Sequence, residues 1–322
     1  MTDSAGFLPL SVPVEIAVPD IRRWIDGNTG IPGVWSFAAA EDGPHLAVTA
    51  LVHGNEIGGA HVLDRWLRAG IRPARGRLSL AFCNLAAFRR FDPDDPTATR
   101  FVDEDLNRCW SDADLGMRRI SSELRRAREL RPLLDTVDVL VDLHSMLWPS
   151  DPLILAGETE KAARLAVAIG VPPTIVSDSG HAGGRRMIDY ARFADPATDA
   201  TAVLVEAGPH WQLSTVARMD LAAARALRHQ GMARPGDALP ADPPSLPAPR
   251  RAVVTRTITA ASRDFAFVRE FRGGEVIPAR NTLIALDGEE EIRTPHDDCL
   301  LVMPTPMVPR GHTAVRLARL LD

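Results

Sequence analysis

Apolar positions along the chain fall into short β-like runs separated by stretches with helical spacing. Residues 46–52 form the first buried run, and residues 56–69 repeat apolar positions at helical intervals. Further β-like runs lie at 77–83, 137–143 and 201–205, with shorter ones at 153–156 and 174–176. Helical spacing returns at 118–134, 158–169 and 213–230. Residues 13–40 hold short apolar pieces broken by Pro, Gly and Asn, and predict one or two edge strands with a turn near Asn28-Thr29-Gly30. Strands alternating with helices predict an α/β fold, a mostly parallel or mixed sheet flanked by helices.

The pattern changes after residue 233. Residues 234–250 are rich in proline and read as a linker. Beyond them, β-prone runs at 252–258, 264–271, 282–286 and 299–303 are punctuated by Gly273-Gly274 and Asp287-Gly288. The expected division is a larger domain over 1–233, a linker over 234–250 and a small C-terminal β domain over 251–322. Residues 86–100 form a polar loop rich in Asp and Pro, and long loops inside compact domains are commonly functional.

Composition narrows the choice of partners. With 37 basic and 42 acidic residues the net charge is −5, and no basic stripe suggests nucleic acid. Lys161 is the only lysine, so nearly all positive charge is arginine, a bias that accompanies abundant alanine and proline. Cys83, Cys109 and Cys299 are odd in number and far apart, which argues against a disulfide framework and for a reducing compartment. Residues 1–20 lack the basic region and apolar core of a signal peptide. No apolar run reaches the roughly 18 residues of a membrane helix. The expectation is a soluble, cytoplasmic protein with no membrane partner.

The candidate chemistry sits at the strand ends. His53-Gly-Asn-Glu56 follows the run at 46–52, His144 follows the run at 137–143, and Glu206 follows the run at 201–205. In a parallel sheet those carboxyl ends share one edge, where ligands bind in open α/β folds. Taken alone, His-x-x-Glu reads equally as a polar turn before a helix. Together, two histidines and a carboxylate form a common catalytic zinc set that leaves a position for water. Glu206 is then a spare carboxylate suited to general base work. Asp142 lies on the same side of its strand as His144 and could hold that imidazole through its free nitrogen. Arg100 offers a fixed positive charge to a developing oxyanion. Asn107-Arg108 offers an amide beside a guanidinium, suited to a carboxylate.

The order His53-x-x-Glu56, Asp105-Leu-Asn107-Arg108, Asp142-Leu-His144, Glu206-x-Gly208 resembles the aspartoacylase/succinylglutamate desuccinylase family, within the zinc carboxypeptidase-like superfamily. The resemblance spans roughly residues 45–211. It implies one zinc per chain held by His53, Glu56 and His144. It implies Glu206 as the base that activates the attacking water and later protonates the leaving amine. By the same resemblance, Arg100 polarises the scissile carbonyl and Asn107 and Arg108 bind a substrate carboxylate. The implied substrate is a small N-acyl amino acid cleaved at its amide. The family's pocket tyrosine has no C-terminal counterpart, since the only tyrosine is Tyr190. Arg185, Arg186 and Arg192 compete for the family's second carboxylate-binding arginine. The loop at 177–184 reads equally as a lid or a connector, and His210 as a residue lining the pocket. Two rivals are a zinc carboxypeptidase acting on peptides and a non-catalytic metal- or ligand-binding relative. The C-terminal β domain, which in the family narrows the entrance, argues against the first, since a peptide needs an open groove. Glu206 and Arg100 argue against the second, since a binding protein needs neither a spare base nor a carbonyl polariser. The oligomeric state is left open, a homo-oligomer included.

Overall fold

A computed structural model describes residues 13–181 and 183–321 of the chain. Most of the stretch read for a signal peptide therefore lies outside the described residues. The strands are β1 (Val34–Ala38), β2 (His45–Ala50), β3 (Arg77–Phe82), β4 (Val139–Met146), β5 (Leu153–Leu155), β6 (Thr174–Ser177) and β7 (Thr201–Pro209). They continue with β8 (Arg250–Thr259), β9 (Phe265–Phe267), β10 (Val276–Ile277), β11 (Leu283–Asp287), β12 (Glu290–Arg293), β13 (Cys299–Val302) and β14 (Thr313–Leu320).

Eleven strands form one mixed sheet in the order β1-β3-β2-β4-β7-β5-β6-β8-β14-β13-β10. β3, β2, β4 and β7 run parallel, which brings their carboxyl ends to one edge. Residues 13–40 supply one edge strand, β1, antiparallel to β3. The β-rich C-terminal region divides. Strands β8, β14, β13 and β10 extend the main sheet, while β12, β11 and β9 form a separate antiparallel sheet.

Side chains alternate across a strand, and here the alternation feeds two cores. Val48, Val141, Leu143, Val203 and Val205 pack with the helices Gly58–Arg68, Glu160–Ile169 and Leu213–His229. Ala47, Leu140, Ala202 and Leu204 face the other way, with Leu124, Leu130 and Leu134 of the helix Ser122–Leu134. Asp142, His144 and Glu206 have the parity of this second face. The proline-rich stretch lies along the helices of the first face, where Arg65 donates to the Ala238 carbonyl and Arg228 to that of Pro240.

Four predicted boundaries shift. The helix expected from residue 56 starts at Gly58, so Glu56 sits in the turn ahead of it. The helix expected from residue 118 starts at Ser122, because the Ser121 hydroxyl caps it by accepting from the Leu124 N–H at 2.9 Å. β4 and β7 run past their predicted ends, so His144 and Glu206 are strand residues paired directly opposite each other.

Candidate metal centre and its surroundings

β2 ends at Ala50, and Leu51 takes φ +60, a left-handed conformation uncommon for a branched side chain. The chain turns there and returns His53 and Glu56 to the sheet edge. Gly54 is required by packing: a Cβ would stand 2.4 Å from the Ala87 carbonyl carbon. The Gly54 N–H also donates to the Arg100 carbonyl at 2.9 Å, tying the Arg100 loop to this turn. Glu123, fully buried, holds the rest of that loop by accepting from the backbone N–H groups of Val102 and Asp103 at 2.7 and 3.0 Å.

Ligand atoms of His53, Glu56 and His144 lie within 4.8 Å of one another, and all three residues are buried. Glu56 stands between the imidazoles. Its Oε1 is 2.7 Å from His53 Nδ1 and its Oε2 is 3.0 Å from His144 Nδ1. The far nitrogen of each ring faces another carboxylate. His144 Nε2 is 2.7 Å from Asp142, whose other oxygen accepts from the Thr49 hydroxyl, and His53 Nε2 is 2.9 Å from Asp105. With Nε2 carrying the proton toward Asp142, His144 presents its Nδ1 lone pair inward. That is the tautomer a metal-ligating histidine needs.

The electrostatics fit a cation. Burial alone would raise the Glu56 carboxyl, but the neighbouring His53 and His144 hold it well below the usual carboxylate range. Asp105 is likewise held down by His53 and Arg100 against its burial. Glu206 goes the other way: burial, then the charge of Glu56, push its carboxyl up to about 8. Its Oε2 is buried without a hydrogen-bond partner among the described residues. Two imidazoles and one carboxylate form a donor set that zinc accepts, and the orphaned oxygen beside them lacks a counter-charge or a donor.

Arg100 spans the cluster, with Nη2 2.8 Å from His53 Nε2 and 3.2 Å from Asp105 and with Nη1 3.4 Å from Glu56. Arg108 donates to the Asn107 carbonyl at 2.7 Å, and its other partner among the described residues is Asp105 at 3.9 Å. Asn107 is partly structural, since its Oδ1 accepts from the Met187 N–H at 2.8 Å. His210 is buried, and its Nδ1 lies 2.6 Å from the Ser145 hydroxyl. The Ser145 N–H in turn donates to Glu56 at 3.0 Å. Burial, above all, pushes the His210 imidazole down to about 4, so it is neutral beside the cluster.

The structure separates the other candidates. Tyr190 is buried against Trp110 and Phe193, and its hydroxyl donates to Asp135 at 2.5 Å. Arg192 donates to the Asp135 carbonyl and to Asp138. Arg185 is exposed and lines, with Glu158 and His181, a cavity of about 170 Å³ that none of His53, Glu56 and His144 borders. Arg186 is buried and bound to Asp178 at 2.7 and 3.0 Å and to Asp189 at 2.7 Å. The loop carrying His181 passes against Arg108. Gly184 has φ +141, and a Cβ there would stand 2.3 Å from the Arg108 carbonyl oxygen.

The succinylglutamate desuccinylase/aspartoacylase catalytic domain matches residues 42–230, more than half of the chain. The chain belongs to that family. It is 33% identical over 138 residues to a probable aspartoacylase of Parasynechococcus marenigrum (strain WH8102), a stretch covering 39% of this chain and 44% of that protein. It is 35% identical over 113 residues to the N-acyl-aromatic-L-amino acid amidohydrolase (carboxylate-forming) of Homo sapiens, covering 31% and 33%. The match thus spans less than half the length of either curated relative. Among solved structures, the succinylglutamate desuccinylase of Vibrio parahaemolyticus superposes with a TM-score of 0.67 over 90% of this chain and 87% of that one, at 17% identity. That likeness establishes the fold: the family's α/β architecture with its C-terminal strands.

Within this family member, sequence reasoning passed over two groups. Asp105 was visible only as the first letter of the Asp105-Leu-Asn107-Arg108 motif, with nothing to show that it faces His53. The cluster of Asp178, His181, Arg186 and Arg316 was missed. Its one signal was a charged residue, Arg316, inside the apolar run of β14.

Proposed function

We propose that the protein is a zinc-dependent hydrolase that cleaves the amide of an N-acyl amino acid or a related small molecule, releasing a carboxylate and a free amine. The observation that carries the reading is the convergence of His53, Glu56 and His144 beside the unpartnered Glu206 carboxylate. Family membership supports the reaction class. His53 Nδ1, Glu56 and His144 Nδ1 would hold one zinc per chain. The ion would supply Lewis-acid polarisation at the scissile group.

The chain's own residues do the rest. Glu206 takes a proton from the attacking water as the C–O bond forms. It returns that proton to the nitrogen as the C–N bond breaks. The Glu206 carboxylate, unpartnered at one oxygen beside the cluster, is free to do both. Arg100 places a guanidinium beside the cluster, where negative charge develops on the acyl oxygen. Arg108 and the Asn107 amide hold a substrate carboxylate. Asp142 and Asp105 fix the two imidazoles.

In this proposal residues 1–233 form the catalytic domain, 234–250 the linker and 251–322 the small β domain. No helix among the described residues is long and apolar enough to cross a membrane. The three cysteines are buried and unpaired, which supports a reducing, cytoplasmic setting. The test is a hydrolysis screen of N-acyl amino acids with zinc-loaded protein, following amine release. Turnover of at least one such amide that stops on chelation and returns with zinc is the expected result. No turnover of any N-acyl amino acid by fully zinc-loaded protein would overturn the reading.

A further inference from the structure

β4 and β7 set His144 directly opposite Glu206 and then slip in register. The next pair is Met146 with Pro209, so Ala207 and Gly208 together stand opposite Ser145. The extra residue in β7 is a bulge, and bulges beside functional sites re-aim side chains. Gly208 has φ +136, and a Cβ there would stand 2.8 Å from Arg218 Nη1 and 2.9 Å from Thr215 Oγ1. Arg218 donates to the Ala207 carbonyl, and the Thr215 hydroxyl donates to that of Pro209 at 2.7 Å. Just beyond, Trp211 takes φ +61, a strained backbone for so bulky a residue.

A side-chain bond crosses this bulge. His210 Nδ1 lies 2.6 Å from the Ser145 hydroxyl and joins the exit of β7 to β4, and both residues are buried. Beside it the His210 N–H donates to the Met146 carbonyl at 2.8 Å. Ser145 has the parity of Val141 and Leu143, so its hydroxyl lies on the opposite face of β4 from the His144 imidazole. The neighbouring groups do reach the metal centre. The Ser145 N–H donates to Glu56 at 3.0 Å, and Trp211 Nε1 donates to the Asn55 carbonyl at 2.7 Å. The segment after Glu206 is thereby tied both to the strand of His144 and to the turn of His53 and Glu56. Glu206 Oε2 is buried with no hydrogen-bond partner among the described residues, so that oxygen has no side-chain tie and its place follows the backbone.

We propose that His210 is a positioning residue for Glu206: through Ser145 it pins the β7 bulge against β4 and keeps the Glu206 carboxylate beside the metal ligands without becoming one of them. The proposal rests on the reading of Glu206 as the base and of His53, Glu56 and His144 as zinc ligands, and deepens it. Zinc accepts carboxylate oxygen readily. A bulge released from β4 has slack, and Glu206 then falls onto the position that the attacking water needs. The Ser145–His210 bond acts at a distance from the reaction, since neither hydroxyl nor imidazole is assigned to the substrate or the ion.

The test pairs kcat for an N-acyl amino acid with the visible absorption of cobalt(II)-loaded protein, which weakens when a ligand is added to a tetrahedral site. In His210→Ala the absorption should weaken, and kcat should fall roughly 10–100-fold, the usual cost of losing an outer partner, with KM and metal content unchanged. Ser145→Ala removes the same bond and keeps the backbone N–H to Glu56, so it should reproduce both changes. His210→Asn, whose amide can still meet the Ser145 hydroxyl, should recover most of kcat. In a Glu206→Gln background His210→Ala should cost nothing more and leave the absorption unchanged, because the effect runs through Glu206. A merely structural His210 would lower the melting temperature, leave the absorption alone and cost the same factor with or without Glu206. That result overturns the proposal. If His210→Ala does not fold, Ser145→Ala decides by the same absorption. The absorption needs no turnover, so the readings fail separately. Cobalt bound with unchanged absorption in both variants overturns only the pin, whereas a wild-type chain that takes up no cobalt overturns the metal reading and the pin with it.

Discussion

Two groups of buried charge meet at Asp105 and Arg100 and differ in how they are balanced. Around His53 and His144 the carboxylates of Glu56, Asp142, Asp105 and Glu206 outnumber the positive groups, and one oxygen of Glu206 is left without a partner. Around Arg108, Arg186 and Arg316 the three guanidiniums meet three aspartates, Asp105, Asp178 and Asp189, and the charges balance. Burial is similar in both, so burial alone does not decide what each attracts. The charge left over does: the first keeps a carboxylate oxygen without a partner and suits a cation, while the second is paired within itself. Asp105 and Arg100 stand between them and touch both sides.

The largest effect should come from emptying the cation side. His53→Ala or His144→Ala removes one of three ligands, and zinc content measured by elemental analysis should fall from about one per chain to near zero. Activity should fall by more than the roughly 10–100-fold that outer-shell changes cost. Undiminished zinc in both variants would break the comparison at its first term. Next comes Glu206→Gln, which keeps the shape but cannot accept a proton. It should lower kcat by about 10²–10⁴-fold with zinc and melting temperature maintained. Full zinc with near-normal kcat would move the base elsewhere, and His210, linked through Ser145 to Glu56, would be the first place to look.

On the anion side the effect should be smaller and confined to binding. Arg108→Ala should raise KM for carboxylate-bearing amides by roughly 10–100-fold, in line with the loss of a charged hydrogen bond, and leave neutral-ended amides alone. Equal losses for both substrate types would mean that the two clusters are not separable.

The smallest effect concerns a buried histidine outside both clusters, which sets the baseline. His45, at the amino end of β2, bonds the Thr136 carbonyl and the Ser79 hydroxyl, and its burial pushes it down to about 4. Below pH 6.5 the unfolded chain binds a proton that the folded one refuses until about pH 4. Stability from this group is therefore complete above pH 6.5 and lost as pH falls toward 4. The loss should be on the order of 1–3 kcal/mol, at about 1.4 kcal/mol per pKa unit. Denaturant melts at pH 7 and 5 should show a smaller pH-dependent drop for His45→Gln than for wild type. An equal drop would assign the slope to other groups.

The metal side was legible in the sequence because its information is local. His53 and Glu56 are three residues apart, Asp142 and His144 two, and each pair follows or ends an apolar strand. Once those strands are parallel neighbours, their ends must meet, so the order of motifs nearly dictates the cluster. The direct pairing of His144 with Glu206 was less accessible, because β4 and β7 run on past the last purely apolar residue. The α/β alternation and the β-rich C-terminal region were equally plain, since period-2 and period-3.6 patterns are read within a few residues.

The partners of Arg316 were decided only by the fold. Arg316 meets His181 across 135 positions of sequence. That meeting requires β14 to pair with β8, and β8 to join β6 in the main sheet. The face Arg316 takes is set by an irregularity in the β8–β14 register between Thr313 and Val315, just ahead of it. A slip of one residue would turn its side chain to the opposite face. Residues 314–318 are buried on both sides of the strand, so no alternation of apolar and polar positions reveals which face is which. The sequence by itself determined where a cation can be held, because short spacings and strand ends specify it. Which groups Arg316 meets depends on strand pairing and register between distant segments, and those become definite only when the sheet is assembled.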